Sequence, residues 1–244
     1  MARIFITGSA DGLGRLAGAE LIKQGHRVVL HARNEQRAAE TLERVKGVET
    51  VVTADLTSRD ATKSLASQLN TLGRFDAIIH NAGVYQAAAS EIFAVNVIAP
   101  YLLTCLVKRP GRLIYLSSGM HTGGRFKEEH FSDDHPRISY SDSKLYITML
   151  AMAVARKWPE VYSNAVDPGW VPTRMGGRTA PDDLEQGFAT QVWLAAGEDA
   201  GAKVSGRYFH HKQQKPVLPD ATDMALQEKL LAGCERITGV AFPK

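Results

Sequence analysis

The sequence predicts an α/β fold, a doubly wound parallel sheet of about seven strands with helices on both faces. Two observations predict it. Short β-branched runs alternate with helix-length segments from the first residues onward, and such alternation gives parallel strands joined by right-handed crossovers. The runs are continuously apolar, as expected of strands buried on both sides. The 244 residues, 44% hydrophobic and 23% charged, are enough to bury a sizeable core. No Pro/Gly/Ser-rich linker, low-complexity run or repeat divides them, so residues 1–244 read as a single domain.

The elements follow in order. Residues 4–7 form the first strand. Residues 12–24 form a helix with Leu13, Leu16, Ala17 and Leu21 on one face, and Gly25 stops it. Strands are predicted at 27–31, 48–53, 75–80, 111–117, 162–166 and 206–210. Helices are predicted at 35–46, 58–72, 90–108, 140–158, 181–195 and 221–235. This order is Rossmann-type, and ligands of such sheets bind at the carboxyl ends of the strands, near the switch point. Functional residues are therefore expected just after strands.

The net charge of +3 is small, and Lys and Arg are scattered among Asp and Glu. Neither a nucleic acid nor a membrane is expected as a partner. Cys105 and Cys234 fall in helical segments without CxxC or metal-ligand spacing, and read as reduced thiols. The chain enters its first strand at once, without the apolar run of about 7–15 residues that a leader needs. No stretch of about 18 uncharged apolar residues marks a membrane span. A cytoplasmic protein is the expectation.

The first strand runs into Thr7-Gly8-Ser9-Ala10-Asp11-Gly12-Leu13-Gly14, and a helix follows. Glycines permit a tight turn and close approach of backbone to a pyrophosphate, and the helix start offers free N–H groups and a positive dipole end. A glycine cluster alone is also compatible with a plain structural turn; the strand before it and the helix after it supply the context that a dinucleotide site requires. At the end of the second strand, His31-Ala32-Arg33-Asn34 carries no carboxylate of the kind that accepts from the ribose of NAD. Arg33 instead offers a fork of donors suited to a 2′-phosphate, unless it is a solvated surface residue. Tyr140 and Lys144 lie four apart on a predicted helix and therefore share a face. An ammonium near a phenol favours the phenolate, which would let Tyr140 exchange a proton near neutral pH.

The GxxxGxG spacing after Thr7, with these later motifs, resembles the short-chain dehydrogenase/reductase family over nearly the whole chain. The resemblance implies NADP(H) as cofactor and a small-molecule carbonyl or alcohol as substrate. It implies that Thr7, Gly8, Gly12, Leu13 and Gly14 cradle the cofactor, with Arg33 and Asn34 at the phosphate-bearing ribose and Asp55 and Leu56 at the adenine. Asn81-Ala82-Gly83 matches the family turn that holds sheet and cofactor. In Pro168-Gly169-Trp170-Val171-Pro172-Thr173, the resemblance implies that Pro168, Gly169, Val171 and Thr173 hold the nicotinamide. Tyr140 is the implied acid/base. Lys144 would tune it and hold the ribose, Ser118 would bond the substrate oxygen, and Asn96 would hold a water leading to Lys144. Ser118 read by itself also suits a strand-end cap, and Asp55 a turn cap.

The spacing from Asn81 to Asn96 is shorter than the family's, and two further departures bear on the pocket. Ser118 and Tyr140 are separated by an insertion holding His121, Phe126, His130, Phe131 and His135. This spacing, with Tyr-Ser-Asp-Ser-Lys, resembles the retinol-dehydrogenase-like branch. Residues 119–139 are expected to form a polar, mobile cover over the pocket, and the histidines are not expected to hold a metal. The segment from Gly176 to Pro181 is short, leaving Trp170 and Met175 as candidates for an apolar wall. The helix at 140–158 is apolar nearly all round and needs cover on both sides, from a second copy in a homo-oligomer or from the C-terminal segment. The rival function is a non-catalytic NADP(H)-sensing module on the same fold. A sugar epimerase or dehydratase would need a larger C-terminal region.

Overall fold

A computed structural model describes residues 1–131 and 137–244. Its strands are β1 (Arg3–Ile6), β2 (Arg27–Ala32), β3 (Thr50–Thr53), β4 (Ala77–His80), β5 (Arg112–Leu116), β6 (Tyr162–Asp167), β7 (Arg207–His210) and β8 (Gln213–Lys215). They form one sheet in the order β3-β2-β1-β4-β5-β6-β7-β8. Strands β1 to β7 pair in parallel, each predicted run having become a strand, and β8 turns back antiparallel on β7. This eighth strand was not legible because Gln-Gln-Lys is exposed and lacks the apolar signature of its neighbours. The chain leaves β1 toward β2 on one side and reaches β4 on the other, so the switch point lies between β1 and β4.

The helices are α1 (Gly12–Lys23), α2 (Glu35–Arg44), α3 (Arg59–Leu72), α4 (Ala89–Phe93), α5 (Ala99–Leu106), α6 (Tyr140–Lys157), α7 (Leu184–Ala196) and α8 (Met224–Thr238). One face of the sheet packs on α1 and α7 through Ala17, Leu21, Val192 and Leu194. The other packs on α3, α5 and α6 through Leu65, Leu102, Leu145 and Met149. A π turn, Ala94–Ile98, joins α4 to α5; such bulges re-aim side chains and recur at functional sites. The joined helix, Ala89–Leu106, is long and apolar enough to cross a membrane, at mean hydropathy 1.6, but 72% of it is buried inside the molecule.

Helix α6 is buried from Asp142 to Val154. Within the chain its cover comes from α8 and the turn Pro219–Ala221, the second of the two sources expected from the sequence. Gly233 on α8 lets that helix close on Phe131, whose ring would lie 2.6 Å from any Cβ there. The terminal residues finish the cover: Tyr101 Oη donates to Val240 O at 2.7 Å, and Trp158 Nε1 to Pro243 O at 3.2 Å.

The segment after β5 departs from the expected mobile cover. Residues 119–131 form two 3₁₀ turns, Gly119–Gly123 and Glu128–Phe131. His121 and His130 are buried, and Phe126, Phe131 and Tyr146 stack together at 5.4–6.1 Å. Burial of these rings pins the segment to α6 and α8, and none of residues 119–131 lines the central cleft. His135 lies outside the described residues.

Candidate functional site

The cleft, about 820 Å³, opens at the switch point over the carboxyl ends of the strands. Its floor begins at the glycine turn. Gly12 adopts φ +54°, which a side chain would strain, and a Cβ there would meet nothing closer than Thr173 at 4.0 Å. Gly14 is required for packing: a Cβ would sit 2.4 Å from Asn81 Nδ2. That amide donates to Thr7 O and Gly8 O at 3.0 Å, and Ala82 N donates to Thr7 Oγ1 at 3.0 Å. The turns after β1 and β4 thus hold each other.

At the far end, Arg33, Asn34, Asp55 and Leu56 line the cleft. Arg33 Nε lies 3.3 Å from Asp55 Oδ2, with the arginine side chain 69% exposed. Burial pushes the Asp55 pKa up, but hydrogen bonds from Thr57 and the nearby Arg33 outweigh it and hold the group ionised below its ordinary range. Asn34 caps α2, accepting from Arg37 N at 3.0 Å. Arg37 also lines the cleft, 3.6 Å from Asp11 Oδ2. His31 links the two edges: its Nδ1 accepts from Gly8 N at 3.0 Å while Nε2 lies 3.0 Å from Ala54 O. Burial lowers its pKa to about 4, so the ring is neutral and its tautomer is set by these two partners.

The reactive end is built on the start of α6. A capping box between Ser139 and Asp142 fixes the helix origin at Tyr140, and Lys144 follows one turn later. Burial raises the Tyr140 pKa to about 12, against a lowering hydrogen bond with Ser118. Burial lowers Lys144 to about 8, with Asp167 opposing. Lys144 Nζ donates to Leu116 O at 2.8 Å and stands 5.4 Å from the Tyr140 ring centre. The lowering of the phenol expected from the ammonium does not arise: burial raises it, and Ser118 rather than Lys144 is the group that opposes. Asn96, in the π turn, accepts from Val84 N at 2.8 Å and donates to Val84 O and Ser143 Oγ at 3.0 Å. Ser118 caps the 3₁₀ turn that follows, accepting from Met120 N at 3.2 Å, and is not among the residues that line the cleft.

Of the residues picked from sequence, Gly8, Gly12, Leu13, Arg33, Asn34, Asp55, Leu56, Asn81, Ala82, Gly83, Tyr140, Lys144, Pro168 and Thr173 line the cleft. Thr7, Gly14 and Asn96 are buried behind it, holding the loops in place. Gly169 (φ +81°) turns the chain after β6, and Val171 is 4% exposed, packing over Gly187. Met175 reaches the cleft; Trp170 instead braces its loop by donating to Gly176 O at 2.7 Å.

Sequence reasoning passed over His31, Arg37, Tyr85 and Asp167. Tyr85 packs edge-on against Tyr140 at 4.8 Å. Asp167 accepts from Gly169 N at 2.9 Å and is the carboxylate whose charge reaches both Tyr140 and Lys144. The available signals were a polar side chain at the end of an apolar strand for His31 and Asp167, and the third position of α2 for Arg37. The assembled site has an open glycine turn at one end and, at the other, a half-buried phenol one helical turn from a buried amine.

The family model for short chain dehydrogenase matches residues 2–184. The chain is 42% identical over 256 residues to an uncharacterized oxidoreductase of Emericella nidulans, covering 100% of this chain and 99% of that one. It is 27% identical to retinol dehydrogenase 14 of Mus musculus, over 97% of this chain and 86% of that one. Among solved structures, the Pseudomonas aeruginosa RhlG/NADP active-site complex matches with a TM-score of 0.69 at 22% identity, over 85% of this chain and 93% of that one.

Proposed function

The chain belongs to the short-chain dehydrogenase family, and from that premise we propose that it is an NADP(H)-dependent oxidoreductase interconverting a carbonyl and an alcohol. The observation that carries the reading is the placement of Tyr140 and Lys144 one turn apart at the reactive end of the cleft, with Ser118 near enough to the phenol to pull its pKa down against burial. The chemistry of the other end fits the cofactor: an open glycine turn with φ +54° at Gly12, and Arg33 and Arg37 on the wall where a 2′-phosphate needs donors. Acidic groups there are already partnered, Asp55 with Arg33 and Asp11 with Arg37.

In reduction, the hydride is supplied by bound NADPH. Tyr140 Oη donates its proton to the oxygen that becomes the alcohol, and Ser118 Oγ holds that oxygen by a hydrogen bond as charge develops. With its pKa near 12, the phenol is protonated at neutral pH and ready to donate. Lys144 Nζ would hold the ribose hydroxyls of the dinucleotide and, as an ammonium, would ease reprotonation of Tyr140. Asn96 holds the main chain at Val84 beside it. Tyr85 and Met175, on the cleft wall, face the substrate with apolar surface. The chain is expected to act in the cytoplasm. NADPH consumption with a panel of ketones and aldehydes tests the proposal: turnover of a member supports it, and tight NADPH binding with no turnover on any would favour the sensing module.

A further inference from the structure

A second depression, about 540 Å³, adjoins the cleft; Asp11, Gly12, Thr173 and Arg174 line both. Its walls carry three arginines, Arg15 from the first turn of α1 and Arg174 and Arg178 from the loop after β6. Among the described residues no side chain pairs with any of the three guanidiniums, whereas Arg33 and Arg37 each face a carboxylate. The carboxylate in the depression, Asp11, already faces Arg37 at 3.6 Å and accepts from Gly12 N at 2.8 Å.

The loop is built to present its arginines. Gly177 N donates to Thr173 O at 2.9 Å and Gly176 N to Thr173 Oγ1 at 3.2 Å, closing a turn around Arg174 and leading into Arg178. Gly176 admits no side chain, since a Cβ would lie 2.1 Å from Val171 O. Three like charges gathered around one concavity repel each other unless an anion joins them. Planar guanidinium forks match phosphate oxygens, and the α1 N-terminus adds its positive end beside them.

We propose that Arg15, Arg174 and Arg178 form a phosphate-binding site at the mouth of the cleft, for a phosphate monoester or a diphosphate. The phosphate has two sources. One is the diphosphate of the dinucleotide, gripped from the solvent side. The other is a phosphate on a second molecule, a substrate or its carrier, held while its carbonyl reaches Tyr140. The site itself does not depend on hydride transfer.

Calorimetric titration of the full chain with inorganic phosphate at low ionic strength, with and without saturating NADPH, tests this. The parent should bind phosphate, and R15Q/R174Q/R178Q at least about tenfold more weakly, the scale of a charge-assisted contact. Phosphate binding that persists with NADPH bound assigns the site to a second molecule. Binding abolished by NADPH, with NADPH affinity also lost in the triple variant, assigns it to the dinucleotide. Should the triple variant fail to fold, R178Q, changed at an exposed position, should still lose roughly threefold. A parent that takes no phosphate, or variants with the parent's affinity, overturns the site; carbonyl turnover in that same parent would leave the oxidoreductase reading standing.

Discussion

Lys144 and Leu116 are joined through a hydrogen bond in which Nζ donates at 2.8 Å to the carbonyl that ends β5. The bond anchors a 5% exposed amine to the sheet, within reach of the cleft but not on the phenol. Gly83 leaves room for it, since a Cβ there would lie 3.4 Å from Nζ. Burial at this anchor brings the Lys144 pKa down to about 8, where the charge becomes sensitive to ordinary changes of pH.

The first prediction follows from that value. The charged form serves reduction, so kcat/KM for carbonyl reduction should fall as pH rises through about 8. K144R, which cannot lose its charge, should be slower but lack this limb. Folding follows the opposite sense. The folded amine releases its proton near 8 and the unfolded one near 10.5, so within that window the unfolded chain binds more protons and stability rises with pH. Urea unfolding of the parent and K144M should differ in slope over that window, and parallel profiles would contradict the buried placement.

A second prediction concerns cofactor choice. NADPH should bind at least about tenfold tighter than NADH, since charge-assisted contacts contribute roughly 1.5–3 kcal/mol. Arg33→Asp should reverse the order. Arg37→Ala should weaken NADPH selectively. Fluorescence titration at one ionic strength reads all three, and equal affinities for both dinucleotides would contradict the assignment.

His31 supplies a third. Its folded pKa of about 4 lies below the ordinary 6.5, so stability is full above 6.5 and is lost as pH falls toward 4 while the unfolded chain takes up the proton. His80, depressed by burial to about 3, adds to the same slope. The urea midpoint should drop between neutral and about pH 5, and His31→Gln should flatten that drop. The same variant should cost about 1–3 kcal/mol at neutral pH, because Gly8 N loses its acceptor. A pH slope unchanged in His31→Gln would mean that the ring does not carry it.

The packed insertion gives a fourth. Phe131 is 1% exposed between α6 and α8, and Phe131→Ala should destabilise by about 3–5 kcal/mol. Hydrogen exchange at Tyr146 and its neighbours on α6 should accelerate in this variant. A thermal midpoint equal to the parent's would restore the mobile-cover expectation for residues 119–131.

Much of this was legible because it rests on local pattern. The β-branched runs located every parallel strand, and the glycine turn, the Tyr140/Lys144 spacing and the Asn81 turn lie in contiguous stretches. What escaped depends on distant partners. His121 and His130 look polar in sequence, yet each ring is buried with a partner on another segment: His121 Nε2 with Leu218 N at 3.3 Å, His130 Nδ1 with Tyr146 Oη at 2.8 Å. Nothing nearby announces them. Arg37 and Asp11 are separated by a strand and meet only when β1 and β2 pair. The Tyr140 pKa escaped for another reason: spacing reveals the neighbouring amine, but neither the burial of the phenol nor the anchoring of that amine on Leu116 O.

The central claim is that Tyr140 is the proton donor. Tyr140→Phe keeps the ring and its contact with Tyr85 while removing the hydroxyl. Single-turnover reduction of a carbonyl accepted by the parent, at saturating NADPH, measures its loss directly. The account predicts a fall of roughly 10²–10⁴-fold with NADPH affinity nearly unchanged, the scale of general acid catalysis. A rate within about threefold of the parent would contradict it and place the acid elsewhere.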